Sequence, residues 1–348
     1  MSALDRRVLL TGANGFVGSH ILAQLLDAGF YVRAVVRSQA KADTVQRDHP
    51  TAGQNLDTAV VEDITVPGAF DAVLQAQPAL DTVIHTASPF LYSVANDPRD
   101  FLDPAVKGTV ELLNSVKKTA PSVKRVIITS SFAAVGDFSQ IPDAGKTYTG
   151  ADWNPITWEE ALATKDWSVA YRASKKFAEK AAWDFVEQEK PGFDLVALNP
   201  PMVYGPLRHT IASIAQLNES NLRIWRLFLD TSKDADIPPN GLPLYVDVRD
   251  VARAHVAAAL TPAARGQRFL VTPGSVSSQE IADLLRANIP ELAERTPVGK
   301  PGDKPPPLAF TADSRPVQQV LGVTFRSKES TFVELAKQLL EVEKAQSQ

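Results

Sequence analysis

Residues 11–20 read TGANGFVGSH, and this stretch restricts the fold more than any other in the chain. Glycines stand at 12, 15 and 18, directly after the apolar run RVLLT. They open the segment FVGSHILAQLLDA, whose apolar residues recur at helical spacing. Glycine has no Cβ, so a chain passing from strand to helix through such a loop can turn tightly and bring its backbone against a ligand. The free amides and dipole at the helix start then favour negative charge. A strand, glycine loop and helix in that order form the setting in which a parallel sheet holds a dinucleotide diphosphate.

Short β-branched runs alternate with helical patterns through the first two-thirds of the chain, as repeated strand–helix–strand units do. Strands are expected at 7–12, 31–37, 58–63, 81–88, 125–131 and 194–200, and helices at 16–28, 101–118 and 171–188. The strand runs are nearly continuously apolar, which suits a parallel sheet covered on both faces. The expected class is α/β: a doubly wound parallel sheet with a smaller C-terminal α/β lobe that meets the substrate. Residues 1–204 form the nucleotide-binding domain, to which 243–260 returns, and 205–242 with 261–348 form the lobe. Within this second part, 244–260 reads as a strand then a helix, 266–273 as a strand, 277–287 as a helix and 330–344 as the last helix.

A formal net charge of −4 leaves no basic footprint for nucleic acid. The absence of cysteine excludes disulfides, thiolate catalysis and cysteine-held metals. The N-terminal apolar run breaks at Thr11 and Gly12, too early for a signal peptide or membrane span, so a cytoplasmic protein is expected.

An NAD-preferring site carries Asp or Glu about 20 residues beyond the glycine loop, at the end of the second strand, to bond the ribose 2′-hydroxyl. Here that place holds Val36, Arg37 and Ser38, and no acid stands between Asp27 and Asp43. Arg37 and Lys41 are placed to pair with a 2′-phosphate instead, so NADPH is the expected cofactor.

Of the six tyrosines, Tyr171 alone has a lysine four positions on, in AYRASKKFA. Four residues apart on a helix is one face, so Tyr171 and Lys175 can act on one molecule. The fifth strand ends in Thr129, Ser130 and Ser131, on the side of a parallel sheet where ligands bind. Together these make a carbonyl-reducing site. A phenol can supply a proton to the forming alkoxide, with the nearby ammonium expected to lower its pKa, while a serine holds the substrate oxygen.

On the segments TGANGFVGSH, VVRSQAK, HTASPF, ITSSFAAV, WNPITW, YRASKKFAEKAAW, NPPMVYGP, YVDVRDVARAH and VGKPG, the chain resembles the extended short-chain dehydrogenases/reductases nearly end to end. It is most similar to the fungal NADPH-dependent ketone and aldehyde reductases of the methylglyoxal/isovaleraldehyde type, related to plant dihydroflavonol reductases. The resemblance implies a Rossmann-type fold with Ser131, Tyr171 and Lys175 as the catalytic set, Lys175 also gripping the nicotinamide ribose. It implies Gly12, Asn14, Gly15, Phe16, Val17 and Gly18 along the diphosphate, Arg37 and Lys41 at the 2′-phosphate, and Asp63 and Ile64 at the adenine. Thr86, Ala87 and Ser88 lie beneath the ribose, and Pro200 and Val203 flank the nicotinamide. Phe90, Phe132 and Tyr204 are the expected substrate contacts. Where many such reductases carry Asn-Val-x-Gly-Thr, this chain has AVKGT, with Ala105 in place of the asparagine that supports a proton relay; a water held by Lys175 is the route left.

The expected reaction is NADPH-dependent reduction of ketones, α-keto carbonyls or aldehydes to chiral alcohols. Alternatives are an NAD-dependent sugar-nucleotide epimerase, a hydroxysteroid dehydrogenase, or a non-catalytic NADPH sensor. The expected partner is a small carbonyl substrate, with no nucleic acid or membrane, for a monomer or a homodimer through helices 101–118 and 171–188. The five histidines show no metal-ligand spacing, and Ser131 lacks a G-x-S-x-G elbow. Trp153, Trp158, Trp167 and Trp183 read as packing.

Overall fold

The computed structural model describes residues 6–88, 95–138, 145–303 and 310–346. The nucleotide-binding half runs β1 (Arg7–Thr11), α1 (Phe16–Asp27), β2 (Tyr31–Val36), α2 (Gln39–Asp48), β3 (Leu56–Val60), α3 (Asp71–Leu74), β4 (Thr82–His85), α4 (Arg99–Thr119) and β5 (Arg125–Thr129). It continues with β6 (Lys146–Tyr148), α5 (Trp158–Ala163), α6 (Trp167–Glu189), β7 (Asp194–Asn199) and β8 (Met202–Tyr204). The remainder is α7 (Glu219–Ile224), β9 (Leu244–Asp247), α8 (Val248–Leu260), β10 (Arg268–Leu270), β11 (Gly274–Ser275), α9 (Ser278–Asn288), β12 (Phe310–Ala312), α10 (Arg315–Leu321) and α11 (Lys328–Gln346).

Seven parallel strands form the main sheet in the order β3-β2-β1-β4-β5-β7-β10. The order reverses between β1 and β4, and that break is where a doubly wound sheet opens a crevice beyond its strand ends. Alternation along β1 sends Val8 and Leu10 into one core with α1 and α8, and Leu9 into the opposite core with α4 and α6. Helices α4 and α6, the expected dimer pair, pack along each other within the chain. A third core, with Ile224, Phe228, Leu285, Phe332 and Leu335, belongs to the lobe built on α7, α9 and α11.

Two expectations change. Arg268–Leu270 pairs in parallel with Ala197–Asn199 of β7, so the segment assigned to the substrate lobe at 266–273 supplies the seventh strand of the main sheet. Its buried Phe269 packs with α8 and α10 residues in the same core as β1, which draws the strand home. Helix α6 starts at Trp167, earlier than expected, because the Asp166 carboxylate accepts from the Ser168 amide at 2.8 Å and caps it. The Ser277-x-x-Glu280 start of α9 closes as a capping box, as its spacing predicts.

Three buried histidines couple this fold to pH. His20 meets the Pro206 carbonyl at 2.8 Å, His85 meets Thr11 Oγ1 at 2.8 Å, and His255 lies between Thr129 Oγ1 and the Val251 carbonyl. Burial lowers each to about 4. Unfolded histidines take up protons near pH ~6.5, so stability is complete above that value and is lost as pH falls toward about 4. The slope approaches roughly 1.4 kcal/mol per pH unit for each histidine. Urea midpoints measured at pH 7.5, 6 and 5 are expected to fall in that order; a constant midpoint would rule these histidines out as the coupling groups.

Candidate active site

The glycine loop sits at the crevice between β1 and β4. Gly12 has φ +69°, and a Cβ there would lie 2.7 Å from Thr86 Oγ1 and 2.9 Å from the Ala87 amide nitrogen. Its own amide donates to the Val35 carbonyl at 3.0 Å, which pins the loop to β2. At Gly18 a Cβ would stand 2.1 Å from the Gly12 carbonyl oxygen, so α1 begins pressed onto the loop. The cavity above has a volume of about 530 Å³ and is bordered by Gly12, Asn14, Gly15, Phe16, Val17 and Gly18. A bare-backbone cradle at the start of a twelve-residue helix fits a diphosphate.

The same cavity reaches Arg37, Lys41, Asp63, Ile64, Thr86, Ala87 and Ser88. Arg37 and Lys41 are exposed, and among the described residues neither forms an ion pair. Asp63 folds its carboxylate back on the amide and hydroxyl of Thr65, at 2.8 and 2.7 Å, which sets the turn at the cavity lip. Ile64 packs where a side chain at Gly108 would be, so the Gly of AVKGT leaves it room. Pro200 and Val203 do not border this cavity. Pro200 is buried and its carbonyl accepts from the Phe132 amide at 2.9 Å, while Val203 lies in β8 against the main core.

Ser131 lies two residues past β5, and its Oγ accepts from the Ala133 amide at 3.1 Å, starting a helical turn at Phe132–Ala134. Ser130 differs: it is buried and gives its hydroxyl to Glu179 at 2.5 Å. Only Ser131 of the two is half-buried rather than enclosed. Helix α6 packs along the Phe132–Ala134 turn and carries Tyr171 and Lys175. The Lys175 ammonium donates to Ser88 Oγ at 2.9 Å and stands 5.7 Å from the Tyr171 ring centre. Burial pushes the Tyr171 phenol up to about 12 and Lys175 down to about 8. This corrects the expectation of a phenol lowered by the ammonium. Burial is the cause of both shifts, so at neutral pH Tyr171 keeps its proton and Lys175 is mostly cationic.

The NAD dependent epimerase/dehydratase family model matches residues 8–271. The chain belongs to that family. It is 42% identical to the ketoreductase azaE of Aspergillus niger over 98% of this chain and 99% of that one. It is 38% identical to the NADPH-dependent methylglyoxal reductase GRE2 of Saccharomyces cerevisiae, over 97% and 98% of the two chains. The crystal structure of the yeast methylglyoxal/isovaleraldehyde reductase Gre2 complexed with NADPH superimposes with a TM-score of 0.89 at 38% identity, covering 97% of this chain and 99% of that one.

In this epimerase/dehydratase family member, two of the aromatic residues expected at the substrate are enclosed among other rings. Phe132 is 1% exposed, stacked on Phe310 at 5.8 Å and edge-on to Tyr148 and Phe138. Tyr204 is 4% exposed and packs on Phe332 at 5.2 Å in the lobe core. Phe132, in the turn after β5, and Tyr204, at the end of β8, thus both pack on other aromatics; Phe90 lies outside the described residues. Sequence reading missed a second cavity of about 540 Å³, bordered by Phe138, Ile156, Val169 and Arg172 on the flank of α6. The Arg172 guanidinium stands 4.7 Å over the Phe138 ring there. Ala105 lines a small cavity with Ser88, Thr109, Thr129, Lys175 and Glu179, so this space beside the lysine has hydroxyls where the family pattern has an amide.

Proposed function

We propose that this chain is an NADPH-dependent carbonyl reductase that converts ketones, α-keto carbonyls or aldehydes into chiral alcohols. The observation that carries the reading is the pairing of a diphosphate cradle bearing Arg37 and Lys41 with a proton-bearing Tyr171 beside Lys175. NADPH, when bound, supplies the hydride for the carbonyl carbon. Ser131 donates a hydrogen bond to the carbonyl oxygen and holds it against the phenol. Tyr171 gives its proton to the oxygen as negative charge forms, a transfer that runs downhill because an alkoxide is a stronger base than a phenolate. Lys175 then stabilises the phenolate by charge, and with Ser88 it is assigned to the ribose end of the cofactor.

An NAD-using epimerase or hydroxysteroid dehydrogenase is disfavoured by Arg37 and Lys41, two exposed cations where a ribose-binding acid would stand, and a mere sensor by an intact Ser–Tyr–Lys set. NADPH consumption with small diketones, branched aldehydes and aryl ketones tests the reading. Carbonyl-dependent oxidation is expected, and none with any of them would overturn it. For the cation pair, Arg37→Ala is expected to weaken NADPH by roughly 10- to 100-fold, the loss of charge-assisted hydrogen bonds, while NADH affinity stays within about 2-fold. Equal weakening of both cofactors would remove Arg37 from the 2′-phosphate.

A further inference from the structure

Helix α6 carries a second ionisable group one turn beyond Lys175. Glu179 is 1% exposed, yet its carboxylate is fully engaged. Oε2 accepts from Ser130 Oγ at 2.5 Å and Asn199 Nδ2 at 2.7 Å. Oε1 accepts from Arg268 Nε at 2.5 Å and Trp183 Nε1 at 3.1 Å. Arg268 is itself enclosed: Nη1 donates to the Gly150 and Asp152 carbonyls at 2.7 Å each, and its guanidinium lies 3.7 Å over the Trp153 ring. Asn199 has a second reach, from Nδ2 to the Ser131 carbonyl at 3.1 Å.

One carboxylate therefore touches the residue before Ser131, the amide that holds the Ser131 carbonyl, and the strand β10, all from the helix that bears Tyr171 and Lys175. Burying an ion pair contributes little net stability, and well-packed apolar side chains often do as well. What apolar side chains lack is direction: five hydrogen bonds from four residues, Arg268 Nη2 to Oε2 at 3.5 Å among them, converge on two oxygens and fix both distance and angle. We infer that Glu179 is a positioning residue of the proposed reductase, with Arg268 and Asn199 as its partners. It sets α6 against the end of β5 so that the Tyr171 phenol and the Ser131 hydroxyl meet at one carbonyl oxygen. Glu179 also borders the small cavity that Lys175 and Ser88 line. The inference rests on the reductase reading.

The test is Glu179→Gln and Ser130→Ala beside the wild type, with Ser131→Ala and Tyr171→Phe as controls. For each variant kcat, KM, NADPH dissociation constant and thermal midpoint are measured, kcat being taken well below the midpoint. Gln turns one acceptor oxygen into a donor amide facing donors. A displacement of the order of 1 Å can lower turnover roughly 100-fold, so Glu179→Gln is expected to lose about that in kcat, with KM and NADPH affinity within about 3-fold. Ser130→Ala removes one of the five bonds, leaves the ion pair, and is expected to lose roughly 5- to 10-fold in kcat alone, a smaller displacement of the same kind.

A merely structural role would lower the midpoint and leave kcat of the folded protein intact, and that result overturns the inference. If Glu179→Gln does not fold, Ser130→Ala decides it: reduced kcat at unchanged KM supports positioning, and unchanged kcat overturns it. Full turnover in Ser131→Ala and Tyr171→Phe would bring down the reductase reading itself. Loss in those controls with full kcat in Glu179→Gln or Ser130→Ala would bring down the positioning role alone.

Discussion

Tyr171→Phe is expected to lower carbonyl reduction by roughly 10²- to 10⁴-fold, the range for removing a positioned general acid, while NADPH still binds. The substitution keeps the ring and its packing and deletes only the phenolic oxygen. Burial holds the phenol near 12, so in the wild type nearly every molecule carries the proton at pH 7. Lys175, lowered to about 8, is mostly cationic at the same pH and can meet the phenolate left behind. Neither contribution survives the loss of the oxygen: the phenylalanine has no proton to give, and the ammonium has no anion to face. Single-turnover absorbance of the nicotinamide, with cofactor binding followed separately by fluorescence, is the check. Turnover within about 3-fold of wild type would remove Tyr171 from the proton transfer and pass the role to solvent or to Ser131.

What the sequence made legible here is what short-range physics decides. The β1–glycine loop–α1 junction is local, so its spacing alone predicts the tight turn, whereas the press of α1 onto Gly12 shows only in the structure. The Tyr171–Lys175 pair is one helical turn, and the order of apolar runs predicts a strand at each of the seven sheet strands, though the seventh, within 266–273, reads as part of the lobe. Long-range pairing stayed hidden. Arg268 reaches Glu179 across 89 residues, and nothing in GQRFLVTP says that its arginine is buried under Trp153. A Glu four residues after Lys175 was the available signal, but it reads equally well as an exposed helix residue. The same limit explains Phe132 and Tyr204. An aromatic just past a strand end can face a ligand or fold back, and here Phe310 and Phe332, more than a hundred residues downstream, decide for packing. Ser130 and Ser131 are indistinguishable by composition, and they separate only because, just past β5, Ser130 gives its hydroxyl to Glu179 while Ser131 caps the next turn.

Gly18→Ala is expected to abolish useful NADPH binding, weakening it by roughly 100-fold or more. Gly18 lies inside α1 with ordinary helical geometry, so on propensity alone alanine would favour the helix by about 1 kcal/mol. The obstacle is steric: the new methyl would stand 2.1 Å from the Gly12 carbonyl oxygen and 2.9 Å from its carbon, both backbone atoms that cannot rotate away. Either the loop or the start of α1 must move, at an overpacking cost of about 1–3 kcal/mol or more. The movement draws the helix-start amides off the diphosphate. Two such charge-assisted bonds at roughly 1.5–3 kcal/mol each account for at least a 100-fold loss. Gly53→Ala is the control. Gly53 has φ +55° with nothing within 4 Å of its would-be Cβ, so it bears a local strain of roughly 1–2 kcal/mol and leaves binding unchanged. If Gly18→Ala bound NADPH like the wild type while folded, the contact between α1 and Gly12 would serve helix packing rather than the cofactor. The two variants thus separate strain in the backbone from loss of the cradle.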